Sequence, residues 1–127
     1  MSEPFRDKLG QLKKFYLPIS KMIKEEYYKK KKTKVIGLAG AQGTGKSTIS
    51  NILKIILKEA YKLETVVFSI DDFYKTFNER KILSKKISRL FLKRGVPGTH
   101  DTEMLYNSLK NLKNDKFKKI MIPKFDK

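Results

Sequence analysis

Cysteine and tryptophan are both absent from this 127-residue sequence, and histidine occurs once, at His100. Without cysteine there is no disulfide framework, no thiol nucleophile and no Cys-ligated zinc, a composition suited to a reducing cytoplasm. No apolar run approaches the ~20 residues of a membrane-spanning helix. The start, Met1-Ser2-Glu3-Pro4-Phe5-Arg6-Asp7, has no apolar core of the kind a secretory signal needs. Arginine is scarce too: Arg6, Arg80, Arg89 and Arg94 are the whole set.

What abounds is lysine. Lys and Arg together number 30 against 13 Asp and Glu, a formal net charge of +17. Nucleic-acid readers favour Arg for bidentate contacts to bases and phosphates, whereas Lys acts as a point charge. The excess therefore reads as solvated lysine, in keeping with a chain also rich in Ile, Asn, Phe and Tyr, and it argues against a nucleic-acid footprint. Hydrophobic residues make up 39%, enough for one modest core.

Hydrophobic spacing divides the chain. Residues 1–32 read as an N-terminal helical segment, with Phe5, Leu9, Leu12, Phe15 and Tyr16 at helical intervals. Pro18 begins a second stretch carrying Ile19, Met22, Ile23 and Tyr27. Residues 33–127 read as the core. There, short continuous apolar runs at Lys34–Ala39, Thr65–Ile70 and Lys119–Ile122 predict strands covered on both faces. Helices are predicted from Lys46 to about Tyr61, over 78–92, and from an Asp101 cap to about Lys113. The order implies right-handed crossovers and a three-layer αβα fold around a parallel sheet, small for that architecture.

The first predicted strand runs into Gly40-Ala41-Gln42-Gly43-Thr44-Gly45-Lys46-Ser47-Thr48, which fits G-x-x-x-x-G-K-[ST] at every fixed position. For this composition a chance match somewhere in the chain has a probability of about 1%. Glycines allow positive φ and let backbone N–H groups curl round an anion, while the following helix points its positive end there. Lys46 is placed to reach the β- and γ-phosphates of ATP, and the Ser47 hydroxyl to hold Mg²⁺.

The second predicted strand ends in Ser69-Ile70-Asp71-Asp72-Phe73-Tyr74. Taken alone, paired aspartates make a turn or a helix cap as readily as a site. Beside a phosphate loop, a carboxylate at a strand's C-terminal edge suits a group that takes a hydroxyl proton and lies near magnesium, and Asp71 is the first choice. Phe73 and Tyr74 read as core or pocket wall, with Tyr74 counted on the substrate side. Arg94 suits a carboxylate ligand. His100, in a Gly/Pro loop, is either a ligand for a hydroxyl or an exposed turn residue.

These blocks, with Arg94-Gly95-Val96-Pro97-Gly98-Thr99-His100-Asp101 and then Ile122-Pro123-Lys124-Phe125-Asp126-Lys127, together resemble D-glycerate 3-kinase. That enzyme belongs to the P-loop kinase group with phosphoribulokinase, uridine kinase and pantothenate kinase. The resemblance runs from about Tyr16 onward. It implies a P-loop α/β fold, ATP and Mg²⁺ as cofactors, and transfer of phosphate to a glycerate-like acid. It makes Asp71 the catalytic aspartate and a metal neighbour, and sets Asp72, Tyr74, Arg94, His100 and Asp101 on the substrate side. The group's lid, further acidic strand and adenine-binding region have no counterpart here, so the chain is expected to be the N-terminal part of such a domain, binding nucleotide weakly and showing no appreciable turnover by itself. Two other readings stand beside this one: a basic nucleotide-binding protein acting on nucleic acid, and a phosphate-holding remnant without catalysis. Oligomeric state is left open.

Overall fold

A proline lies inside the first helical stretch and does not break it. In the computed structural model, which describes residues 7–114 and 119–125, α1 (Lys8–Gln11) runs into a π-helical turn (Leu12–Tyr16) and then into α2 (Leu17–Lys30). Pro18 has no N–H to donate, and its ring crowds the carbonyl four residues back. The wider turn just upstream, closed by the Leu17 N–H on the Leu12 carbonyl, relieves both problems. Lys31 ends α2 in the left-handed region, at φ 45°, with its N–H on the Tyr27 carbonyl at 2.8 Å.

Helix α3 (Lys46–Tyr61) spans the predicted residues. Its stripe buries Leu57, leaves Ile49, Ile52, Leu53 and Ile56 half-buried, and packs on α2. There the Lys24 ammonium lies 5.3 Å from the centroid of the Tyr61 ring, a cation–π contact. These elements form one unit, which runs to Val67; a second begins at Phe68.

The predicted parallel sheet is not formed among the described residues. Lys34–Ala39, Thr65–Ser69 and Lys119–Ile122 carry no strand ladder, and Ile70 opens a 3₁₀ turn instead. A strand exists only where a neighbour takes its N–H and C=O groups, and no described segment pairs with these three. Val35, Ile36 and Val66, meant for burial on both faces, are 52%, 57% and 56% exposed. Apolar composition alone does not make a strand.

The second unit is organised around the 3₁₀ turn Ile70–Phe73. Ser69 and Asp72 cap it reciprocally: Asp71 N–H donates to Ser69 Oγ at 3.1 Å, and Ser69 N–H donates to Asp72 Oδ2 at 2.9 Å. Phe73, 1% exposed, is the core anchor, with Phe68 edge-on at 5.5 Å. Tyr74 pairs with His100 through an isolated antiparallel bridge, extended by Lys75 N–H to Thr99 O at 2.9 Å and Asp101 N–H to Phe73 O at 2.6 Å.

Helix α4 (Phe77–Lys86) starts at a Thr76/Glu79 capping box, whose hydrogen bonds hold the Glu79 carboxyl below the usual carboxylate range. The single helix expected over 78–92 is divided. Ser88 accepts the Leu90 N–H at 3.3 Å and starts a separate 3₁₀ turn, Arg89–Leu92, because a serine hydroxyl competes with the helical ladder for backbone donors. Arg80, only 6% exposed, ties the two pieces together. It donates to Lys75 O at 3.2 Å and Leu92 O at 2.9 Å, and lies 5.9 Å from the Phe77 ring. Asp101 caps α5 (Thr102–Leu112) as predicted, accepting the Met104 N–H at 2.9 Å. Helix α5 packs against the Ile70–Phe73 turn.

Candidate active site

In the first unit the phosphate-loop motif folds as a tight turn ahead of α3. Gly43 and Gly45 have φ of 79° and 81°, which a side chain adopts at a cost of about 1–2 kcal/mol each. At Gly40 the constraint is space: a Cβ there would meet Thr44 Oγ1 at 2.9 Å. Thr44 itself donates to the Ala41 carbonyl at 2.7 Å. Lys46 reaches back along the loop, its ammonium donating to the carbonyls of Gly40 at 2.7 Å and Ala41 at 2.6 Å. Ala41, Gln42, Ser47 and Thr48 are exposed. Ser47 and Thr48 stand in the first turn of α3, where the macrodipole is positive.

This donor set fits a polyphosphate: a fixed ammonium at the rim, a glycine turn free of side chains, and a helix start. It also fits Mg²⁺ in the manner usual for nucleotides, with one hydroxyl, Ser47, and the remaining ligands from phosphate and water. Among the described residues no three His, Cys, Asp or Glu side chains converge as a metal cage.

In the second unit the structure gathers three of the predicted residues. Asp71 is exposed (60% for its side chain), and its Oδ1 lies 3.5 Å from His100 Nε2. That imidazole is largely enclosed, and Nε2 is buried with no hydrogen-bond partner. The Tyr74 ring stacks on His100, centroids 4.2 Å apart and planes 24° from parallel. Burial, followed by the hydrogen bond with the Asp71 carboxylate, raises the Tyr74 phenol above its ordinary value.

Asp72 faces other partners. Besides Ser69 N–H on Oδ2, its Oδ1 takes the Phe125 N–H at 3.4 Å. Phe125 meets the Tyr74 ring edge-on at 5.3 Å, and the Arg94 guanidinium lies over Phe125 at 5.5 Å. Arg94 is otherwise exposed, in the loop turned by Gly95 and Gly98 at φ 86° and 89°. Asp101 holds the start of α5. Asp126 and Lys127 lie outside the described residues.

The profile of the Phosphoribulokinase / Uridine kinase family matches residues 35–127. The chain belongs to that family. Among curated relatives, the uncharacterized kinase mug58 of Schizosaccharomyces pombe is 40% identical over 96 residues, covering 73% of this chain and 34% of its own. The probable ATP-dependent kinase TDA10 of Saccharomyces cerevisiae is 36% identical over 100 residues, 72% of this chain and 34% of its own. A pantothenate kinase of Streptococcus agalactiae is 32% identical over 100 residues, 79% of this chain and 31% of its own. The solved structure of the YGR205w protein superposes with a TM-score of 0.65 at 30% identity, over 87% of this chain and 41% of that one.

For this phosphoribulokinase/uridine kinase family chain the superposition supports the α/β P-loop class, although no strand ladder forms among the described residues, and the chain spans about a third of the length of the curated relatives it matches. One residue at the site was missed from sequence. Phe125 touches Tyr74, Arg94 and Asp72, and its one signal was an aromatic in the Ile122–Lys127 block. Arg80, away from the site, was also not singled out, and its position one turn past a Thr-x-x-Glu capping box was the one hint of an inward side chain.

Proposed function

We propose that this chain carries the donor-phosphate loop and the acceptor-side acid of an ATP-dependent kinase acting on a hydroxyl of a small organic acid. D-glycerate, converted to 3-phosphoglycerate, is the first acceptor. The observation that carries the reading is the phosphate loop itself, with Lys46 hydrogen-bonded to its rim.

ATP with Mg²⁺, when bound, supplies the transferable phosphoryl group. Lys46 and the start of α3 hold negative charge in place, and Ser47 offers the metal its hydroxyl. Asp71, exposed, accepts or orients the proton of the acceptor hydroxyl, and it is also proposed as a metal neighbour. Arg94 suits the acceptor's carboxylate, a bidentate match for a guanidinium. A cysteine-free chain of this kind works in the reducing cytoplasm.

Pantothenate also carries hydroxyls and a carboxylate, and the pantothenate kinases among the relatives make it the second reading. The test is ADP release by the purified chain with D-glycerate, pantothenate or uridine at equal concentration, with product identified by ³¹P NMR. Glycerate-dependent ADP release supports the proposal. Turnover confined to pantothenate or uridine moves the substrate to that molecule.

A further inference from the structure

We infer that His100 and Tyr74 are positioning residues that hold the Asp71 carboxylate in one orientation, rather than groups that grip the acceptor. This rests on the reading of Asp71 as the acid that takes the acceptor's proton.

Asp71 follows Ile70 on a short 3₁₀ turn, and its side chain is mostly in solvent. Left to itself, such a carboxylate samples several rotamers, and a proton acceptor works only within hydrogen-bond reach of its target. Two neighbours restrict it. The Tyr74 phenol is raised by burial and then by the Asp71 carboxylate beside it. His100 Nε2 faces Oδ1 at 3.5 Å and is buried without a hydrogen-bond partner.

Both neighbours are themselves fixed. Their rings stack at 4.2 Å, and their backbones pair in the Tyr74–His100 bridge. Lys75 N–H to Thr99 O and Asp101 N–H to Phe73 O continue that pairing on either side. Thr99 is fully buried, and its hydroxyl donates to Val96 O at 2.6 Å. The imidazole is therefore delivered by a rigid stretch of backbone, sandwiched against one ring, with one buried nitrogen directed at one carboxylate oxygen. A residue that gripped the acceptor would present that nitrogen to solvent. Here that nitrogen is buried, with Asp71 Oδ1 3.5 Å away. An imidazole with its proton on Nε2 has a donor to offer that carboxylate oxygen.

The chain has a single histidine, so long-range ¹H–¹⁵N spectra of the full 127-residue protein contain one imidazole. The expected spectrum, recorded where that ring is neutral, is the Nε2–H tautomer with a downfield, slowly exchanging proton. That resonance moves upfield in Asp71→Asn and stays in place in Glu103→Gln, which alters an exposed acid on α5. An Nδ1–H tautomer, or an Nε2–H resonance indifferent to Asp71→Asn, would overturn the inference. In ADP release, His100→Gln and Tyr74→Phe are expected to lower kcat about tenfold with the acceptor KM within twofold. A KM rise at unchanged kcat would overturn the inference in favour of direct acceptor binding. Where the 127-residue chain shows no turnover by itself, the imidazole spectrum decides the positioning role separately from the proposed function.

Discussion

Lys46 spends its hydrogen bonds on the Gly40 and Ala41 carbonyls, neutral acceptors that an ammonium exchanges readily for phosphate oxygens, since bonds between charged groups are about twice as strong. Lys46→Ala is expected to abolish measurable ATP binding by calorimetry while thermal unfolding stays within a few degrees, because the side chain packs against little. Unchanged ATP affinity would remove the phosphate-loop assignment. The adjacent aspartates part company in the same way. In a completed, active enzyme, Asp71→Asn is expected to lower turnover about 10²–10⁴-fold, the usual worth of a general base, with ATP affinity changed far less. Asp72 accepts the N–H groups of Ser69 and Phe125, so Asp72→Ala should lower stability by about 1–2 kcal/mol, read from the urea midpoint. A large kinetic loss from Asp72→Asn with none from Asp71→Asn would reverse the roles. From sequence alone the pair read as turn, cap or site; the capping box shows that one member caps while the other remains open to solvent.

At the scale of elements, legibility followed whether a signal was local. The helix Lys46–Tyr61 and the Asp101 cap were readable because their determinants, an apolar stripe and a side chain three residues from its donor, lie within one segment. The runs at 34–39 and 65–70 state a preference for burial, whereas pairing depends on residues elsewhere. Arg80 and Phe125 were illegible for the same reason: their partners lie 12 and 53 residues away. The division of 78–92 was readable in principle, since Ser88 is a poor helix interior residue and a good cap. Asp101→Ala should cost about 1 kcal/mol, seen as a lower urea midpoint and faster amide exchange in the first turn of α5. An unaltered midpoint would mean that the Phe73–Asp101 backbone bond alone fixes that helix start.

For the whole molecule, the +17 charge bears on the nucleic-acid reading. Lysine counter-charge without a shaped site binds polyanions only through counterion release, so affinity for single-stranded RNA should fall steeply between 50 and 200 mM salt and vanish near physiological strength. Residual sequence-dependent binding at 0.2 M salt would favour the basic-protein reading. The same molecule closes its second unit through contacts far apart in the chain, and the Asp72 carboxylate meets the Phe125 amide across 53 residues. The Ser69–Asp72 cap is local and forms on the microsecond scale or faster, whereas the distant contact waits on a loop whose closure grows costlier with length. Asp72 thus has an order of events built into its two oxygens: one is engaged early, the other last. The Phe125 amide becomes a reporter of completion, protected from exchange only once the whole second unit has assembled.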